Sequence, residues 1–353
     1  MKKFIVLALV LGLVWACHKA DDIAEDIFPG FVRPANFPEP VYKFERNPIT
    51  SEVFELGRQL FYEPRLSRNN TIACGSCHIL SAAFTHHGHD VSHGIDDRLG
   101  IRNPMPIFNM AWQKEFFWDG GVFDLDMSPV NAITNPVEMD ESVSNVLSKL
   151  RKDSDYQQRF KKAFGSEGIT DERFFKALSQ FMLMAISANS KYDQVMRKEN
   201  GVSFTDAEKK GYLFYQNNCS RCHTEPLFTD RDYHNNGLSP NHAHDIGRDT
   251  VTLNHNDRYK FKTPSLRNLS YTGPYMHDGR FLTLDRVLEH YRNGMVDSKT
   301  LDPGFRKADG TLGISMSDEE KANLLAFLKT LNDASFVNNK MLGEPGNTGF
   351  VVN

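Results

Sequence analysis

Two five-residue strings, Cys74-Gly-Ser-Cys77-His78 and Cys219-Ser-Arg-Cys222-His223, constrain this chain more than anything else in it. Each is a C-x-x-C-H sequence, the pattern by which a c-type haem is fixed covalently to protein. Two thiols three positions apart reach the two vinyl groups on one side of a porphyrin. The histidine that follows then supplies an axial nitrogen to the iron. A bare C-x-x-C also serves as half a zinc site or as a redox dithiol, but the adjacent histidine, twice, argues for haem. The expected cofactors are therefore two covalent haem c groups, with Cys74, Cys77, Cys219 and Cys222 as attachment points and His78 and His223 as proximal ligands.

Four of the five cysteines are used by these strings, and the fifth, Cys17, closes a distinctive N-terminus. Lys2 and Lys3 form a basic start, and residues 4–16 are an apolar run. Spanning a bilayer takes about 20 apolar residues, so this run suits a signal-peptide core instead. Val14-Trp15-Ala16-Cys17 reads as a bacterial lipobox, in which Cys17 is lipidated and becomes the first mature residue. Ordinary cleavage nearby would instead leave a soluble exported protein with a spare thiol. Covalent haem attachment in bacteria also takes place outside the cytoplasm, so the expected location is the periplasm, with a lipid anchor through Cys17. A formal charge of −4 gives no reason to expect nucleic acid or anionic lipid as a partner.

The length of 353 residues allows two ordinary domains, and the strings lie about 145 residues apart, one haem to each. The expected fold is mainly α, two cytochrome c-like domains with long loops and little strand. Residues 1–16 read as the signal peptide and 17–48 as a proline-rich tether and lead-in. Residues 49–200 and 201–335 are then the two haem domains, and 336–353 a polar tail that wraps or stays mobile. Apolar periodicity predicts helices over 51–62, 141–164, 171–199 and 283–292. Capping boxes at Thr205/Glu208 and Ser317/Glu320 open two more. Short pairings near 230–262 are the strand signals. Gly57-Arg-Gln-Leu-Phe-Tyr62 is echoed by Gly211-Tyr-Leu-Phe-Tyr215, and a haem string follows each copy, which hints at a duplicated cytochrome unit.

Further motifs surround the strings: His93-Gly94, Arg102-Asn103-Pro104, Phe117-Trp118-Asp119-Gly120 and Asn135-Pro136-Val137-Glu138-Met139. Phe261-Lys-Thr-Pro-Ser-Leu-Arg-Asn268 and Pro274-Tyr275-Met276-His277-Asp278-Gly279 follow the second. In this order they resemble the bacterial di-haem cytochrome c peroxidase family, which includes the MauG-like di-haem oxidases, over nearly the whole mature chain. The resemblance implies reduction of hydrogen peroxide at an N-terminal peroxidatic haem, fed through a C-terminal electron-transfer haem. The implied donor is a small periplasmic cytochrome c or cupredoxin, and the resemblance is compatible with a homodimer.

The resemblance also assigns individual residues. His93 matches the histidine that caps the peroxidatic iron in the resting state, with His86, His87 and His89 as nearby rivals. Glu138 matches the distal glutamate, and its apolar neighbours independently favour a raised pKa and proton transfer. Trp118 matches a tryptophan lying between the haems. Counting fourteen residues from His277 lands on Tyr291 as the sixth ligand of the second iron, with Met295 one helical turn later as the rival. Many family peroxidases carry methionine at that position and the MauG-like branch a tyrosine. Asn103, Thr272 and Pro274 match the ligands of a calcium ion, whose all-oxygen set suits a hard cation.

Splitting an O–O bond at iron needs an open coordination position, a proton carrier and two electrons in quick succession. The leading expectation is thus a cytochrome-c peroxidase. The alternatives are a MauG-like oxidase that withdraws electrons from a protein substrate, favoured by Tyr291 and opposed by His93, and a non-enzymatic di-haem electron carrier.

Overall fold

The helices begin where the sequence supplies a side-chain oxygen for an orphan amide. Thr50 accepts from the Val53 amide and opens α1 (Ser51–Phe61). Asp153 accepts from the amides of Asp155 and Tyr156 and so divides the run expected over 141–164 into α2 (Val143–Arg151) and α3 (Ser154–Phe164). Thr170 caps α4 (Asp171–Met184), and a Ser190/Asp193 capping box restarts a short helix, Lys191–Met196, within the run expected over 171–199. The capping boxes Thr205/Glu208 and Ser317/Glu320 form as expected, opening α5 (Asp206–Asn218) and α7 (Asp318–Lys329). Between them α6 (Leu284–Glu289) runs into a π-turn, His290–Gly294.

This computed structural model describes residues 28–241 and 243–346, and the signal and lipobox readings around Cys17 lie outside them. Strand among the described residues is limited to β1 (Tyr233–His234) and β2 (Phe261–Lys262), antiparallel with Tyr233 opposite Lys262. No helix among the described residues is long and apolar enough to cross a membrane. The lead-in is not merely a tether, because Phe37 is buried with its ring edge-on to Trp112 at 5.0 Å. The described part of the tail, up to residue 346, wraps: Phe336, Val337 and Leu342 are buried, and Arg58 and Tyr62 of the first half donate to the carbonyls of Gly343 and Leu342.

The sequence echo has a packing cause. α1 crosses α4 at Gly57, where a Cβ would collide with the Ala177 carbonyl and press on Phe181. α5 crosses α7 at Gly211, where a Cβ would collide with the Asn323 carbonyl and press on Phe327. In both halves the helix before the haem string thus meets the later helix backbone to backbone, over a carbonyl and the phenylalanine four residues on. The cores behind these crossings are aromatic: Phe61 lies 4.6 Å from Phe181, and Tyr215 lies 5.2 Å from Phe327, centroid to centroid. Gly57→Ala and Gly211→Ala are each expected to destabilise the folded protein by about 1–3 kcal/mol through overpacking. Denaturant midpoints of the two variants check this, and unchanged midpoints would contradict the crossing geometry.

The two halves are also joined by ions. Arg102 bridges Asp119 (2.5 Å) and Asp245 (2.7 Å), and Arg267 pairs with Asp193 at 2.7 Å with both side chains fully buried. From Arg33 onward the chain clusters as one unit.

Candidate active site

Both haem strings sit at the start of a turn whose far end grips the histidine. Cys74–Cys77 is a single helical turn, and the His78 Nδ1 lies 2.8 Å from the Phe84 carbonyl. In the second string the His223 Nδ1 lies 3.3 Å from the Phe228 carbonyl and 3.2 Å from that of Pro264. An Nδ1–H donated to a carbonyl fixes the tautomer and leaves Nε2 as the free, electron-rich nitrogen that a metal takes. Phe84 and Phe228 both adopt left-handed backbone, at φ +58° and +55°. A non-glycine residue there costs about 1–3 kcal/mol and persists where packing demands it. The same device in both halves turns a carbonyl onto the proximal imidazole.

Burial, with neighbouring Cys77, pushes the Cys74 thiol up to about 12, and burial does the same to Cys219. Redox and metal-binding cysteines are shifted the other way, toward thiolate. Burial likewise lowers His78 and His223, keeping both imidazoles neutral and able to ligate.

Around the first string, the His93-Gly94 loop packs directly on Glu138. The Ile95 amide donates to the Glu138 carbonyl at 2.7 Å, and a Cβ on Gly94 would overlap the backbone of Val137 and Glu138. The Cys77 thiol donates to the His93 carbonyl at 3.5 Å. Glu138 is partly buried, and burial raises its pKa against the opposing hydrogen bond from Asn135, whose Nδ2 donates to Oε1 at 2.8 Å. His93 turns its Nε2 toward the Nδ1 of His89 at 3.0 Å, and the ring of His86 lies 4.5 Å from that of His89. His87 bonds to Ser81 instead.

The second string opens on a largely apolar cavity of about 1640 Å³ including its mouth, lined by Cys219, Cys222, His223, Leu266, Val287 and Leu324 among others. The attachment thiols, the neutral histidine and the apolar walls together fit a haem. Tyr291 also lines it, with burial pushing its phenol up to about 12. Met295 is not among the cavity-lining residues and packs over Gly237. Met276 does line it, and Asn236 joins the two, its Nδ2 lying 3.4 Å from the Tyr291 hydroxyl and 3.6 Å from the Met276 sulfur. Met276 and Asn236 are cavity residues that sequence reasoning passed over. Met276 stood inside a quoted motif, whereas Asn236 carried no signal.

Trp118 lies on the wall of the same cavity, between the two strings in sequence and buried. Its indole N–H donates to the Asn103 carbonyl at 2.8 Å, and its own carbonyl accepts from the Lys262 amide at 2.7 Å. Its ring meets His277 edge-on at 6.5 Å, and His277 stacks on Phe261 at 3.7 Å. Burial lowers His277 to about 4, so this stack is neutral. Asn103, Thr272 and Pro274 line this cavity too, and the Asn103 Nδ2 donates to the Asp90 carbonyl at 3.0 Å.

A mainly helical chain with two such attachment sites is a di-haem c-type cytochrome. The chain belongs to the di-haem cytochrome c peroxidase family: the model for "Di-haem cytochrome c peroxidase" matches residues 51–201, and full-length relatives extend the match. Methylamine utilization protein MauG of Methylorubrum extorquens is 34% identical over 315 residues, 85% of this chain and 83% of that one. Cytochrome c551 peroxidase of Nitrosomonas europaea is 33% identical over 300 residues, 83% and 84% of the two chains. Among solved structures, a MauG-like protein associated with microbial copper homeostasis superposes with a TM-score of 0.79 at 32% identity, over 89% of this chain and 99% of that one.

Proposed function

We propose that this chain reduces hydrogen peroxide to two waters, consuming two electrons and two protons, with the N-terminal site as the peroxide site and the C-terminal site as the electron entry. The observation that carries this reading is Glu138, a carboxyl of raised pKa held by Asn135 against the loop that follows the first haem string. Two haem c groups, held by Cys74, Cys77 and His78 and by Cys219, Cys222 and His223, would supply an iron at which the O–O bond is split and a second iron that stores an electron.

Glu138 takes the proton from one peroxide oxygen and returns it to the other, so that the leaving group departs as water rather than hydroxide. Asn135 steadies the carboxyl by its hydrogen bond. Gly94 lets the His93 loop lie against the Glu138 backbone, so a moving His93 would be felt at the acid. Trp118, within residues 49–200 and with its carbonyl held by the Lys262 amide of residues 201–335, offers an aromatic step for electrons. Asn103, Thr272 and Pro274, which line the same cavity, would hold a calcium ion. The working location is the periplasm, with Cys17 as a lipid anchor.

The donor divides two readings. A small cytochrome c or cupredoxin makes the chain a cytochrome-c peroxidase. Tyr291 at the cavity wall favours instead a MauG-like oxidase whose electrons come from an aromatic side chain of a protein partner, because oxygen ligation favours oxidised iron whereas thioether ligation raises its potential. The hydrogen bond to His93 Nε2 points the same way, since it engages the nitrogen that would cap the peroxide site.

Spectra of the holoprotein decide between these. Tyr291→Phe is expected to change the absorption and EPR signature of the low-spin haem, and Met295→Leu to leave it as it is. Turnover with reduced cytochrome c or cupredoxin supports the peroxidase reading, and its absence, together with an open site already present in the oxidised protein, supports the oxidase. Two low-spin haems indifferent to peroxide in every redox state would rule out both.

A further inference from the structure

A second pocket, of about 200 Å³, shares no lining residue with the cavity at Cys219–His223. Its walls bring together four cationic side chains, Lys114, Arg231, Arg248 and Lys260. Its three carboxylates are already engaged. Glu115 accepts from Arg248 at 3.1 Å and from the Tyr233 hydroxyl. Asp257 holds Lys260 at 3.0 Å, and Asp232 accepts from the Tyr233 amide at 2.8 Å. The ion pairs of this pocket thus leave Lys114 and Arg231 with no carboxylate partner among the described residues.

Arg231 carries two further marks. One Nη donates to the Trp112 carbonyl at 3.2 Å, but its Nε is buried with no acceptor. A buried donor without an acceptor carries its desolvation cost uncompensated. Its backbone is left-handed, at φ +66°, and strained positions of this kind gather at ligand clamps. The excess of positive charge is also felt by a neighbour. Lys262, buried and donating to the Glu115 carbonyl, is pulled down to about 8 by burial, with Glu115 giving partial relief and Arg231 and Arg248 adding repulsion.

A planar guanidinium and an ammonium on one pocket wall suit the oxygens of an anion, which accept charge-assisted hydrogen bonds. At about 200 Å³ the pocket is smaller than the roughly 300–1,000 Å³ of sites for drug-sized ligands, so the anion is a small one. We propose that this pocket binds a small oxyanion, of the phosphate or carboxylate type, with Arg231 and Lys114 as its principal ligands. Arg248 and Lys260 add attraction, and the bound anion offsets the repulsion that bears on Lys262. Lys114 comes from the first half and residues 231–260 from the second, so the anion bridges the two and stabilises the folded chain. The assignment needs neither haem nor Glu138 and stands apart from the peroxide reading.

The test is thermal unfolding of the haem-loaded protein against inorganic phosphate and, in a second arm, against succinate, with ionic strength held constant by sodium chloride. Wild type is expected to show a saturable rise in unfolding temperature in at least one arm, and the stronger arm names the type of oxyanion. Arg231→Gln is expected to raise the apparent Kd by about tenfold, the effect of one lost charge-assisted hydrogen bond. Lys114→Gln, at an exposed residue, is expected to raise it by about two- to fivefold. Lys161→Gln, at an exposed lysine of α3, is expected to leave it unchanged. No saturable rise in either arm, or the same affinity in wild type and both pocket variants, would overturn the proposal. A loss as large in Lys161→Gln would mark a general charge effect and overturn it too. Should Arg231→Gln fail to fold, Lys114→Gln decides alone: weakened binding supports the site, and unchanged binding refutes it.

Discussion

Replacing Glu138 by glutamine is expected to lower peroxide turnover by about 10²–10⁴-fold, the range for loss of a positioned proton carrier, with both haems still attached. Glutamine is nearly isosteric and retains an oxygen for the Asn135 amide that now bonds Oε1 at 2.8 Å. The Glu138 carbonyl that receives the Ile95 amide is also untouched. The change therefore removes the proton and little else. The wild-type pH profile carries the same signature. Burial raises the Glu138 pKa, so the carboxylate that accepts the peroxide proton is lost at a higher pH than for an exposed glutamate. Turnover should fall on the acid side with a midpoint above the ordinary carboxylate range, and that limb should vanish in Glu138→Gln. Steady-state rates across pH, normalised to haem, check both statements, and a variant turning over at the wild-type rate would remove Glu138 from the chemistry.

Asp193→Asn is expected to cost about 3–5 kcal/mol, the usual loss when one partner of a buried ion pair is removed. A domain's whole stability is only about 5–15 kcal/mol. Arg267 and Asp193 meet in a two-pronged pair of 2.8 and 2.7 Å, and Asn36 and Ser190 add hydrogen bonds to the same carboxylate. Burial alone would raise the Asp193 pKa, but the hydrogen bonds and charge of Arg267 outweigh it and hold the carboxyl low. A depressed folded value means this stabilisation is complete above the unfolded carboxylate range and is lost as pH falls through the folded value. Denaturant unfolding at neutral pH measures the loss. The difference between wild type and variant should shrink on acidification, and a variant as stable as wild type would show that the pair is not decisive.

What the sequence revealed and what it hid follow from where each cause lies. The haem strings, the two capping boxes and the echoed glycines are local patterns, so each was legible, although only the crossings at Ala177 and Asn323 explain the glycines. The break at Asp153 was legible in principle, as a helix-capping residue inside a helical run. The left-handed phenylalanines at 84 and 228 were not, because nothing in a phenylalanine announces positive φ and the demand comes from a histidine five or six residues earlier. The docking of Phe37 was hidden by its proline-rich surroundings, which signal extended chain but not what it lies against. Lys262 stood inside a recognised motif, yet its burial is set by Glu115 and Phe116, nearly 150 residues away in sequence.

The most direct test of the account is the mass of the exported, mature protein together with the masses of its peptides. The account predicts two added tetrapyrroles per chain, one on the peptide spanning Cys74–His78 and one on that spanning Cys219–His223. A chain carrying one tetrapyrrole or none would contradict it.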